Sequence, residues 1–251
     1  MSAPKTIYLI TGGARGLGKG LVESFLTRPN TIVIAGVRDP TSATSSALSN
    51  SPQDSSSQLI IVKIDSKSET DPAEAISLLQ SKHQITYLDT VITNAGISED
   101  YSTVATVPPA VFKEHIAVNG YGAFFLFQAV VPLLQKSRHG AKFVGIGSPL
   151  GSIGGMKQRP YPCAAYGASK AVLHWLVRKV HFENKDIVSF VLDPGFVQTD
   201  MGNSGARAFG MKEASLPVQD SVAGIVSQVD GATREKTSGH FKVWDDTEFP
   251  W

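Results

Sequence analysis

The chain has 251 residues, of which 42% are hydrophobic and 18% charged, with a formal net charge of +1; that is enough apolar material for one sizeable core, and no composition shift marks a second. Basic residues are scattered rather than gathered into runs, which excludes the electrostatic footprint of a nucleic-acid binder, and no uninterrupted apolar stretch approaches the roughly 20 residues of a membrane-spanning helix. The lone cysteine, Cys163, has no partner for an internal disulfide, and residues 1–5 lack a secretory pattern, so one domain over residues 1–251 in a cytoplasmic, reducing location is expected.

A first apolar run at 6–11 is followed by Thr11-Gly12-Gly13-Ala14-Arg15-Gly16-Leu17-Gly18 and then by helical spacing. Gly12, Gly16 and Gly18 let the backbone turn tightly, approach a pyrophosphate and pack a helix against the strand. Alone, such a triplet also fits a plain turn. Its place between a first strand and a helix favours a nucleotide, whose phosphates would sit at a helix N-terminus. A second strand at 31–37 leads into Arg38-Asp39, where a dinucleotide fold meets the adenosine ribose. An arginine there pairs with the 2'-phosphate of NADP, and Arg15 adds charge on the same side; Asp39 as a ligand for the ribose hydroxyls of NAD remains the alternative.

The serine-rich stretch 41–58 reads as a surface loop or a frayed helix, before a third strand at 59–64. Asp71-Pro72 then opens a helix, with Asp71 as N-cap and Pro72 at the first helical position. A fourth strand at 88–93 precedes a long helical segment from 109 to about 138. Its middle is apolar on nearly every side, which fits either core or a subunit contact and leads to an expected homodimer or homotetramer. A fifth strand at 142–147 runs into Ser148, and Tyr166-Gly167-Ala168-Ser169-Lys170 opens another helix. Strands at 187–192 and 240–244 complete seven. Short, continuously apolar strands alternating with helices predict an α/β, doubly wound sandwich: a parallel sheet covered by helices on both faces.

Tyr166 and Lys170 are four apart and so share one helical face, where an ammonium would lower the pKa of a phenol; Ser148, at a strand end, would bond a substrate oxygen as charge develops on it. A tyrosine and a lysine at this spacing are also a common surface pair. Their company decides the matter. The glycine loop at 11–18, Asn94-Ala95-Gly96, Asn119, Ser148, Tyr166 with Lys170, and Pro194-Gly195 followed by Thr199 occur in an order that resembles the short-chain dehydrogenase/reductase family over essentially the whole chain.

That resemblance implies a Rossmann-type fold with a seven-stranded parallel sheet, an NADP(H) cofactor and a small-molecule carbonyl substrate. It implies Tyr166 as general acid, Lys170 lowering its pKa and holding the nicotinamide ribose, Ser148 orienting the carbonyl, and Asn119 anchoring a water in the proton relay. Leu17 would join the glycine loop, Asp65 would contact adenine, Asn94, Ala95 and Gly96 would shape the cofactor floor, Pro194 and Gly195 would bind the cofactor, and Val197 and Thr199 would meet the carboxamide. Residues 33–40 and 194–203 look most like fungal ketoreductases of polyketide metabolism, of the norsolorinic acid ketoreductase kind, which points to secondary metabolism. Alternatives on the same scaffold are a redox-neutral epimerase, dehydratase or cyclase, and an NADPH-sensing regulatory protein.

Two departures stand out. Ser148 and Tyr166 are 18 residues apart, more than in many relatives, so residues 149–165 form a longer loop expected to line the substrate pocket together with residues 200–217, a candidate lid. Gly147 stands where another serine is usual. Cys163 has no histidine near it in sequence and reads as pocket lining, and the six histidines show no metal-ligand spacing.

Overall fold

The computed structural model describes residues 4–251. Its strands are β1 (Thr6–Thr11), β2 (Thr31–Val37), β3 (Gln58–Lys63), β4 (Thr90–Thr93), β5 (Ala141–Ile146), β6 (Ile187–Asp193) and β7 (Phe241–Val243). They form one parallel sheet in the order β3-β2-β1-β4-β5-β6-β7. The order reverses at β1, so the C-terminal ends of β1 and β4 border the crevice in which doubly wound sheets take ligands.

Alternation along the strands builds two cores. Ile7 and Leu9 point to one face, where α3 (Asp71–His83), α5 (Gly122–Leu134) and α6 (Ala164–Glu183) bury Leu79, Leu126, Val130, Leu173 and Val177. Tyr8 and Ile10 point to the other, covered by α1 (Gly16–Leu26) and α8 (Val218–Gly231) through Leu21, Phe25, Val222 and Ile225. Both faces of the central strands are dry, which explains their unbroken hydrophobicity.

Several boundaries differ from the sequence expectation. Residues 88 and 89 leave the fourth strand: Leu88 N–H donates to Leu133 O, and the buried Asp89 carboxylate takes Ile7 N–H at 2.8 Å and Ser137 Oγ at 2.7 Å. The serine-rich stretch holds a short helix, α2 (Ala43–Ala47), anchored by buried Ser45 and Leu48. Asp71 does not cap its helix but lies inside it, with Thr70 at the cap; its carboxylate accepts from Asp65 N, Lys63 Nζ and Ser68 Oγ at 2.9–3.1 Å, tying the β3–α3 turn.

The long helical segment is three pieces: α4 (Pro109–His115), a wide π-turn over Ile116–Tyr121, and α5. This 26-residue span is long and apolar enough to cross a bilayer, by length and composition only, which corrects the expectation that no segment is. In the fold its buried side is core, with Ala123, Leu126, Val130 and Leu133 against the sheet, while Tyr121 and Phe124 stay exposed. Residues 200–217 are not a loop. They contain α7 (Asp200–Ala208) and return to pair Leu216 with Val197, with Asn203 Oδ1 accepting from Ala214 N at 3.0 Å.

Candidate active site

The glycine loop closes against the end of β4. Gly12 sits at φ +68°, and a Cβ there would lie 3.0 Å from Ala95 Cα; one on Gly18 would collide with the Gly12 carbonyl oxygen. Only glycine lets the chain turn and α1 approach this closely. Thr11 Oγ1 accepts from both Asn94 N and Ala95 N at 3.1 Å, and Asn94 Nδ2 donates to Thr11 O at 2.9 Å, so Asn94 to Gly96 is fastened to the loop. The N-cap of α1, Arg15, makes no side-chain cap bond, which leaves the helix's first amides to an incoming anion. A Cβ on Gly16 would approach Thr199 Cγ2 to 3.3 Å, which brings the stretch at 194–199 over the loop. Leu17 turns its side chain into the core, so its part in binding a ligand is limited to its backbone. A cradle too tight for any side chain and uncapped amides fit a dinucleotide pyrophosphate.

At the far side of that cradle Arg38 and Arg15 are exposed and, among the described residues, form no salt bridge. Asp39 is engaged: its Oδ1 accepts from Thr41 N at 2.8 Å and Thr41 Oγ1 at 2.7 Å, bonds that hold its carboxyl below the usual range. Asp65, at the end of β3, accepts from Lys67 N at 3.0 Å.

The chemical end converges on α6. Ser148 and the Tyr166 hydroxyl face each other, and the serine acts to lower the phenol. Lys170, buried, donates from Nζ to Ile146 O at 2.8 Å and lies 5.7 Å from the Tyr166 ring centroid. Asn119 sits in the π-turn, a helix defect that tends to mark functional positions. Its Oδ1 accepts from Ile97 N at 2.8 Å, and its Nδ2 donates to Ile97 O and to Ser169 Oγ at 2.9 and 2.8 Å. Both amide hydrogens are therefore taken, so a water at Asn119, which the family resemblance implies, would be held through an oxygen acceptor. Gly96 lies between these groups: a Cβ there would be 3.0 Å from Asn119 Oδ1 and 3.6 Å from Lys170 Nζ.

Burial dominates the protonation of the site. It pushes the Tyr166 phenol well above its ordinary range, against the lowering by Ser148. The Lys170 ammonium is turned to Ile146 O, and burial is the larger influence on this phenol. Burial also pulls Lys170 down to about 8 and Cys163 up to about 11, so that thiol is unreactive. His174, one turn beyond Lys170, is held near 3 by burial and then by the Lys170 charge; its Nε2 accepts from Ser148 N at 3.3 Å.

Sequence reasoning missed three contributors. Thr11 and Ser169 stood inside recognised motifs but carry their weight through bonds only the fold reveals; Ser169 Oγ also donates to Tyr166 O at 2.7 Å. His174 had no motif at all. On the substrate side, Tyr101 meets Phe209 edge-on at 5.3 Å between centroids and Tyr161 meets it at 5.0 Å, joining the segment after β4, the long 149–165 loop and the end of α7.

A family model described as short chain dehydrogenase matches residues 6–208. The norsolorinic acid ketoreductase nor1 of Dothistroma septosporum is 50% identical over 250 residues, covering 98% of this chain and 93% of the relative. That of Aspergillus parasiticus is 45% identical over 249 residues, covering 98% and 92%. Among solved structures, the NADPH-bound carbonyl reductase from chicken fatty liver aligns with a TM-score of 0.84 at 26% identity, covering 99% of this chain and 100% of that one.

Proposed function

The chain belongs to the short-chain dehydrogenase/reductase family, and from that premise we propose that it is an NADPH-dependent ketoreductase of an aromatic, polyketide-like ketone, with Tyr166 as proton donor. The observation that carries this reading is the meeting of buried Ser148, the Tyr166 phenol and the buried Lys170 ammonium, 5.7 Å from the phenol ring, at one site. A bound nicotinamide would supply the hydride.

The residues supply the rest. Ser148 and Tyr166 present two hydroxyls to one carbonyl oxygen, polarising it and stabilising the charge that hydride addition would place there. Because burial holds the phenol protonated, Tyr166 keeps its proton until an alkoxide-like oxygen draws it off, which suits the reductive direction. Lys170, with a pKa near 8, carries charge at neutral pH beside that phenol. Asn119, pinned to Ile97 and Ser169, fixes the segment after β4, the π-turn and α6 relative to one another. The chain's relatives named norsolorinic acid ketoreductases support a ketone substrate.

Preference for NADPH is supported by two exposed arginines that have no salt-bridge partner among the described residues, beside a carboxylate already committed to Thr41. The aromatic group Tyr101, Tyr161 and Phe209 favours a flat, aromatic ketone, since ring faces and edges reward planar partners. A panel of aromatic, polyketide-like and aliphatic ketones, followed by NADPH absorbance, tests the proposal. Stoichiometric oxidation with the aromatic members is expected, and no oxidation with any ketone would sink it.

A further inference from the structure

Asp193 is the last residue of β6 and is buried, yet the chemistry above makes no use of it. Strand alternation fixes where its side chain points. Phe190 and Leu192 belong to the core under α1 and α8, and Val191 to the core under α6, so Asp193 faces α6. That is the face on which α6 lays Lys170 and His174. The ammonium of Lys170 is bonded to Ile146 O, and Ile146 pairs with Leu192 across the sheet, which puts it beside the strand ends that carry Asp193. The carboxylate accepts a hydrogen bond from Gly195 N at Oδ1, at 3.2 Å. Its charged and titratable neighbours are Lys170 and Tyr166 on α6, Arg159 in the long loop and Asp245 after β7; Cys163 and Tyr101 complete the set around the phenol, and His174 that around Lys170.

We propose that Asp193 is a positioning residue for the Tyr166–Lys170 pair: its buried carboxylate, on the same face of the sheet, keeps Lys170 charged and Tyr166 protonated and so sets the upper pH limit of carbonyl reduction. The inference rests on the reductase reading above. A negative charge stabilises an ammonium and disfavours a phenolate, so it moves both groups the same way. Burial works against the ammonium, and Asp193 is the neighbour that offsets it. Burial also raises the Asp193 carboxyl itself to about 7, so the charge is present where the upper limit lies and fades below it.

Asp193→Asn keeps the acceptor for Gly195 and removes the charge. With an accepted ketone and NADPH, the alkaline limb of turnover is expected to move down by about half a pH unit or more. A limb that stays in place, at full or reduced turnover, overturns the proposal. A second readout needs no reaction. A carboxyl raised in the folded state contributes stability below its unfolded pKa, roughly 4, that is lost as pH rises through about 7. The denaturation midpoint of the wild type relative to Asp193→Asn is therefore expected to fall across that window, and an identical slope in both overturns the buried charge and the proposal with it. A falling slope in a protein that reduces no ketone overturns the reductase reading and the pH role built on it, and the slope identifies which premise failed. If the variant does not fold, infrared titration of the wild type decides. Every other carboxyl with a resolved shift is held low, so one protonated-carboxyl band vanishing near pH 7 is expected and its absence overturns the proposal.

Discussion

Gly147 and His174 share one space: a Cβ on Gly147 would lie 2.7 Å from His174 Nε2, and it would also overlap Val191 Cγ1. The residue that departs from the usual serine is thus matched to a histidine one turn beyond Lys170. His174 is neutral and accepts from Ser148 N, so it helps aim the strand end that carries the Ser148 hydroxyl. Gly147→Ser is expected to cost about 1–3 kcal/mol of stability by overpacking, read as a lower urea midpoint at unchanged slope. Gly147→Ser with His174→Ala is expected to recover only part of it, because Val191 still obstructs; full tolerance of the single change would refute the packing account.

The parallel sheet was legible in the sequence because buried parallel strands are written as unbroken Val/Ile/Leu runs, and the cradle was legible because glycine positions are set by close approach. Boundaries failed where side chains overrule propensity, as at Asp71, whose carboxylate ties the preceding turn through Asp65 N, and at Asp89, whose carboxylate serves the distant Ile7 amide. The π-turn around Asn119 leaves no trace in apolar spacing. Tyr166 and Lys170 could be placed on one helical face by counting. The direction in which Lys170 turns could not, since it depends on Ile146 O across a 24-residue separation. Asp193 was invisible for the same reason: its neighbours come from α6, the long loop and the segment after β7.

Removing the phenol hydroxyl tests the acid directly. Tyr166→Phe is expected to cut turnover about 10²-fold or more while leaving NADPH affinity within a few-fold, since general acid catalysis is worth roughly 10²–10⁴. Fluorescence titration of NADPH beside steady-state rates separates the two. Unchanged turnover would remove Tyr166 from the mechanism.

At the adenosine end, Arg38→Ala is expected to weaken NADPH by about tenfold or more and NADH little, because a charge-assisted bond to a phosphate is worth roughly 1.5–3 kcal/mol. Kd values for the two cofactors measured on one preparation make the comparison. Equal weakening would mean that Arg38 supports the loop and does not read the 2'-phosphate.

Protonation of Lys170 gives the wild-type pH profile its sign. Burial lowers its pKa to about 8, so the charged form is complete at lower pH and is lost as pH rises through that value. Ketone reduction is therefore expected to fall above about pH 8, with the phenol still protonated there because burial raises it. A rate that climbs steadily from pH 8 to 10 under saturating NADPH would contradict this assignment.

Phe209 is the common partner of Tyr101 and Tyr161, so its removal separates substrate recognition from chemistry. Phe209→Ala deletes a ring whose edge and face contacts are worth about 0.5–1.5 kcal/mol each beyond their buried area. KM for aromatic ketones is expected to rise about tenfold or more, with kcat for a small aliphatic ketone nearly unchanged, because the phenol and Ser148 belong to other elements. Steady-state kinetics on matched aromatic and aliphatic ketones reads this split. Equal loss for both classes would show that Phe209 acts by holding α7 in place, and the aromatic wall would then have no part in choosing the substrate.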